Sequence, residues 1–132
     1  MNHNRSFKWL VTLALLAVLL VACGGSSEQG ADPASVVKAF HEAGNAGNVD
    51  AAMALLADDA VLVRGGDVIT GNEQIRAWLQ SEADRGITFE SSNFQVAGDK
   101  VTYTCKAFEN GRQIGEGIGE AIVQAGKIKY DE

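Results

Sequence analysis

Two kinds of apolar pattern run along the chain. From Trp9 to Ala22 the side chains are apolar with Thr12 as the only break, and no period is visible. From residue 32 onward the apolar positions become periodic. Val36, Val37, Phe40 and Ala43 recur at the spacing of one helix face, behind Asp32 as N-cap and Pro33 at the first helical position, where proline forfeits no hydrogen bond. Gly44 to Asn48 ends this helix, Asp50 to Leu56 (DAAMALL) predicts a second short one, and Ala60 to Arg64 predicts the first strand. Thr70, Gly71, Asn72 and Glu73 have the spacing of a capping box, and Ile75, Trp78 and Leu79 form the buried stripe of a third helix running to about Asp84. After that the pattern is that of strands: Ile87 to Val96, Lys100 to Glu109, Arg112 to Val123 and Lys127 to Tyr130. They are separated by Gly98-Asp99, Asn110-Gly111 and Ala125-Gly126, of which Asn110-Gly111 is the strongest two-residue turn signal. Helices first and an antiparallel sheet after them predict an α+β architecture.

The unperiodic run belongs to a leader. Arg5 and Lys8 precede it without any acid, the run is shorter than the roughly 20 residues a permanent membrane helix needs, and it ends in Leu20, Val21, Ala22, Cys23. Small or aliphatic residues before a cysteine form a lipobox, so residues 1–22 are expected to be a lipoprotein signal peptide and Cys23 the lipid-modified N-terminus. The thiol accepts a diacylglycerol, the chain is then cut on the N-terminal side of Cys23, and the new amine takes a further acyl chain; two or three chains hold where one leaks. Residues 24–31 (GGSSEQGA) then predict a flexible tether of about 15 Å, leaving residues 32–132 as the folded domain. Gly24, rather than Asp, after the cysteine points to the outer membrane in a host with two membranes, and to the cell membrane's outer side in a host with one.

Charge and cysteine usage narrow the partners. The net charge of −6 becomes −8 once the leader's two cations are removed, which argues against nucleic acid and against a polybasic membrane patch. With Cys23 lipidated only Cys105 remains, so no intramolecular disulfide is available and stability rests on packing. His41 is the only histidine beyond the leader, with no second histidine or cysteine at ligand spacing; it reads as a helix-boundary residue, and no metal or other cofactor is expected.

Val36 to Val63, VVKAFHEAGNAGNVDAAMALLADDAVLV, with its Asn45-Ala46-Gly47-Asn48 turn and its Ala57-Asp58-Asp59-Ala60 approach to the first strand, resembles the nuclear transport factor 2-like superfamily. Gly71 to Leu79 (GNEQIRAWL), the long hairpin and Gly126-Lys127-Ile128 extend the likeness over almost all of residues 32–132. The resemblance implies a cone: a curved antiparallel sheet packed against three N-terminal helices, the scaffold of SnoaL-like polyketide cyclases and ketosteroid isomerase. It says little about function, because one scaffold hosts enzymes, binding modules and assembly domains. The isomerase's catalytic positions fail here one by one. Its oxyanion-binding tyrosine falls on Phe40, its general-base aspartate on Arg64 and its protonated acid near Ile118. Without donor and base, enolisation has no agents.

Counting from a two-residue Asn110-Gly111 turn pairs Ala107 with Ile114, Cys105 with Glu116, Tyr103 with Ile118 and Val101 with Glu120. That apolar face should line the cone, which brings Glu116 and Glu120 inside, unless a rim position or a bulge turns them outward. Arg64 is either their partner or a solvated strand end. The candidate ligand-binding set is therefore Phe40, Arg64, Trp78, Tyr103, Glu116, Ile118 and Glu120, with no catalytic residue assigned. Gly115, Gly117 and Gly119 leave one sheet face bare, suited to another surface, a helix or a second subunit; the resemblance to the family, where sheets often pair, implies a homodimer through the sheet. The favoured reading is a lipid-anchored cell-envelope protein with a non-catalytic domain for small-molecule binding or for interaction, a small apolar molecule being one candidate ligand. The alternatives are a SnoaL-like enzyme on such a molecule, or a structural module with a self-filled pocket.

Overall fold

The computed structural model describes residues 31–132; the expected signal peptide, Cys23 and the expected tether up to residue 30 lie outside the described residues. Helix α1 spans Pro33–Asn45 and α2 Val49–Ala54; strand β1 spans Leu56–Arg64 and β2 Asp67–Thr70; helix α3 follows at Asn72–Asp84. Strands β3 (Ile87–Ala97), β4 (Lys100–Glu109), β5 (Arg112–Gln124) and β6 (Lys127–Asp131) complete the fold. They form one six-stranded sheet in the order β2-β1-β6-β5-β4-β3. Asp32 caps α1 by accepting from the Ser35 backbone N–H at 3.1 Å, as its sequence position predicts. The α+β class and the curved sheet packed against three helices are as expected, although β1 and β2 precede the third helix. The sheet is mixed, however, because β1 and β6 run parallel.

Two local expectations give way to tertiary pairing. Thr70 does not cap α3: it pairs with Val61 as the last residue of β2, which requires extended backbone, and Gly71 at φ 80° makes the turn into the helix with no side-chain cap. The short β2 itself, between two glycines and α3, has no apolar alternation to announce it.

The core lies between the concave sheet face and the helices. Val36, Val37 and Phe40 from α1, Ile75 and Leu79 from α3, and Leu62, Val101, Ala121, Val123 and Ile128 from the sheet are buried together. Each of the fully buried Val37, Leu62, Ile75 and Ile128 contributes about 1.5–3 kcal/mol relative to exposure. Asn45 fastens the end of α1 to β3: its amide donates to the Phe89 carbonyl and its carbonyl accepts from the Phe89 N–H, both at 2.7 Å.

Two β-bulges set which residues face inward. Near the Asn110-Gly111 turn the pairing begins as counted, Glu109 with Arg112 and Phe108 with Gln113, but Ala107 then pairs with Gly115, so Ile114 is an extra residue. From there Cys105 opposes Gly117, Tyr103 opposes Gly119 and Thr102 opposes Glu120. The expected register is thus corrected by one residue: Gly115, Gly117 and Gly119 face inward, while Glu116, Ile118 and Glu120 face outward, since a one-residue slip exchanges the two faces of a strand. The second bulge is in β6, where Ile122 pairs with Tyr130 but Val123 pairs with Ile128. Lys129 is the extra residue there, and it puts Ile128 and Asp131, three apart, on the same buried face.

Candidate functional site

The bulge in β6 turns a carboxylate into the core. Asp131 is 0% exposed and both its oxygens are engaged: the Tyr103 hydroxyl donates to Oδ1, and Arg64 Nη2 donates to Oδ2 at 2.6 Å. Arg64 also donates through Nη1 to the carbonyls of Val63 (2.8 Å) and Asp131 (2.9 Å). Arg64 reaches this position because β1 lies parallel to β6, with Leu62 level with Asp131. Its guanidinium carbon sits 4.9 Å from the ring centre of Trp78 on α3, a cation over an aromatic face. Burial, the Asp131 charge and the hydrogen bond it donates all push the Tyr103 phenol far above its ordinary range, against a smaller opposing pull from Arg64, so it stays protonated. Asp131 does not line a cavity. It fixes the two groups that do.

That cavity holds about 230 Å³ between α1, α3 and the inner face of the hairpin. Phe40, Trp78, Leu79, Phe89 and Ala107 give it apolar walls, with Arg64, His41, Tyr103 and Cys105 as its polar side chains. Gly115, Gly117 and Gly119 also line it. A Cβ at Gly117 would meet nothing within 4 Å, whereas one at Gly119 would fall 2.5 Å from Cε2 of Tyr103 and 2.8 Å from its hydroxyl oxygen. The missing side chains therefore serve two ends: Gly119 admits the Tyr103 ring and Gly117 leaves open space. The bare face faces this cavity, not a second subunit.

His41 lies within α1, not at its boundary as the sequence suggested, and it is buried. Its Nδ1 is 2.5 Å from Ser91 Oγ. Desolvation lowers the imidazole pKa and Arg64 adds to that, while Asp131 pulls the other way. Burial likewise raises the pKa of the Cys105 thiol, against a smaller lowering by the Ser91 hydroxyl, and keeps it from being a ready nucleophile.

Of the seven candidate residues, Phe40, Arg64, Trp78 and Tyr103 come together around the cavity. Glu116 and Ile118 sit on a strand that lines it, but their side chains lie on the outer face. Glu116 is exposed and accepts from Gln113 at 3.2 Å. Glu120 is paired with Lys100 at 2.5 Å, and Ile118 is 75% exposed. Asp131, His41 and Ser91 were missed. For Asp131 no signal existed, since Tyr130-Asp131-Glu132 reads as a solvated terminus; for His41 the signal was its position one residue after Phe40 on the apolar stripe of α1. Among the described residues no group of three His, Cys, Asp or Glu is arranged to hold a metal, and no helix is long and apolar enough to cross a membrane.

Comparison with known proteins gives a family and a fold. A family profile of the SnoaL-like domain matches residues 37–129. No curated protein matches the chain. Among solved structures, an NTF2-like protein of unknown function from Cytophaga hutchinsonii is 18% identical with a TM-score of 0.66, over 76% of this chain and 86% of that one. A putative polyketide cyclase from Sinorhizobium meliloti is 22% identical with a TM-score of 0.66, over 74% and 92%. A Mycobacterium tuberculosis LEH-like epoxide hydrolase is 22% identical with a TM-score of 0.64, over 75% and 78%. At these identities the likeness is one of fold.

Proposed function

The chain belongs to the family of SnoaL-like domains, and from that premise we propose that it is a binding domain whose cavity takes one small, mainly apolar molecule, with the N-terminal lipobox as its anchor. The observation that carries the reading is the cavity itself: about 230 Å³, walled by Phe40, Trp78, Leu79 and Phe89, and floored by glycines that leave space a side chain would fill. This is about half as large again as an engineered apolar cavity that takes up benzene. The size and lining suit a molecule of one or two rings.

Binding is favoured over turnover by the state of the ionisable groups. A general base needs a free lone pair within reach of substrate, and the buried carboxylate has both oxygens engaged outside the cavity lining. Glu116 and Glu120, which an enzyme reading would use, lie on the outer face. A homodimer through the sheet would use that outer face, where Ile118 is the most exposed large apolar side chain. Light scattering of wild type and Ile118→Asp tests it: equal masses would remove the dimer.

Trp78 lines the cavity, and the only other tryptophan is Trp9 in the leader, so a Trp9→Phe chain reports from one indole. Titration with small apolar compounds should change its emission saturably, and native mass spectrometry of protein from its own host should reveal a co-purifying mass. A cavity silent in both experiments would leave a self-filled structural module.

A further inference from the structure

We infer that His41 is the cavity's hydrogen-bond donor and that the molecule bound there presents to it a neutral acceptor, the oxygen of a ketone, ester or ether, rather than a carboxylate. This rests on the reading that the cavity binds a small apolar molecule. The imidazole is enclosed by the rings of Phe40, Phe89 and Tyr103, with centres 5.8, 6.0 and 5.3 Å away. Its Nδ1 meets Ser91 Oγ, and Ser91 stands opposite Cys105 in the β3–β4 ladder. The Ser91 hydroxyl has one proton to give. Nδ1 is the one acceptor this hydroxyl meets among the described residues, so the proton goes to Nδ1.

A neutral imidazole that accepts at Nδ1 carries its own proton on Nε2. Nε2 meets no hydrogen-bond partner among the described residues. No buried side-chain nitrogen or oxygen there lacks a partner, so Nε2 reaches open space, which for this buried residue is the cavity it lines. The lowered pKa of the ring agrees with a neutral donor.

The remaining polar groups decide what the donor meets. The proton of the Tyr103 hydroxyl is committed to Asp131, so that oxygen can only accept. The Arg64 charge is matched by Asp131 at 2.6 Å. An anion entering would meet no uncompensated cation, whereas a neutral oxygen would satisfy Nε2–H without losing a charge's hydration.

The test uses the full-length protein with histidine labelled in both ring nitrogens, where His41→Phe separates the His41 signals from those of His3. Ring-nitrogen couplings should report the Nε2–H tautomer in the wild type. Acetophenone, ethylbenzene and benzoate, matched in size to the cavity, are then titrated. Acetophenone should move the Nε2 resonance and ethylbenzene should not. Acetophenone's affinity relative to ethylbenzene should fall about fivefold in His41→Phe, the worth of one neutral hydrogen bond. An Nδ1–H tautomer, or acetophenone binding with Nε2 unmoved, would overturn the donor assignment while leaving the binding cavity intact. Benzoate binding more tightly than acetophenone would overturn the neutral class. Failure of both neutral probes to bind would overturn the cavity reading and this inference together.

Discussion

Replacing Gly117 and Gly119 by alanine, one at a time, should change stability in opposite directions although the two sites are two residues apart on one strand. At Gly117 the new methyl meets nothing within 4 Å, and the glycine has no positive φ, so the change removes unfolded-state freedom and should stabilise by about 0.5–1 kcal/mol. At Gly119 the methyl would press on the Tyr103 ring, which has nowhere to go. The ring stacks on Phe94 with centres 5.6 Å apart, meets His41 edge-on, and is held at its hydroxyl by Asp131. Overpacking costs about 1–3 kcal/mol, and a displaced hydroxyl loses a charge-assisted hydrogen bond worth about 1.5–3 kcal/mol. After the gain from removing a glycine, the net loss is about 2–5 kcal/mol. Urea denaturation of both variants, fitted with a common slope, measures the difference. Gly117→Ala should also weaken binding of any cavity ligand, because its methyl takes up part of the floor. Were the bulge at Ile114 absent, both methyls would point into solvent and both variants would be slightly stabilised. A Gly119→Ala chain within 1 kcal/mol of Gly117→Ala would refute the packing described here.

Three further outcomes follow from the buried cluster and the leader. Asp131→Asn keeps the shape but leaves Arg64 without its counter-charge; because the Arg64 side chain is 22% exposed, the loss should be about 2–4 kcal/mol, below that of a fully buried pair, and a denaturation cycle with Arg64→Gln should be less than additive. His41 has a folded pKa below the ordinary imidazole value of 6.5, so below that pH the unfolded chain binds a proton the folded one refuses. Stability should therefore be fully present above pH 6.5 and fall as pH drops toward the folded pKa, and thermal melts of His41→Phe across that window should lack this component. Cys23→Ser should abolish incorporation of labelled fatty acid, since only a thiol accepts the diacylglycerol; label in the mutant would remove the anchor from the account.

Element type and position were legible where local signals act alone. Asp32-Pro33 opens α1 because a cap and a proline have few other uses together, and β4 begins at Lys100 and ends at Glu109 because turn pairs stand on both sides. The choice of faces was not legible. The rule that apolar residues point inward selected Ile114, Ile118 and their alternating glutamates, whereas the inner wall of a ligand cavity is made by absent side chains, and Gly115, Gly117 and Gly119 carry no hydrophobic signal. One extra residue at Ile114 decides the matter, and nothing in QIGEGIG marks a bulge there. Asp131 was invisible for the same reason: its burial depends on the extra residue Lys129 and on a parallel neighbour far away in sequence. Arg64, Trp78, Phe40 and Tyr103 were found because each lies on a face that local periodicity fixes.

The position of β6 has a consequence for the order in which this protein can assemble. The sixth strand of the sheet lies in its interior, between β1 and β5, and the Arg64–Asp131 clasp joins residues 67 apart. Until it arrives, β1 with β2 and the β3–β5 meander are two fragments with no seam between them, each exposing one unpaired edge to the other. Closure over such a distance is slow, because the loop entropy is lost before the contacts form. A chain carrying the leader expected at residues 1–22 has to be threaded through a membrane while still extended, and this topology keeps the sheet in two pieces until β6, the sixth of its strands, has been made.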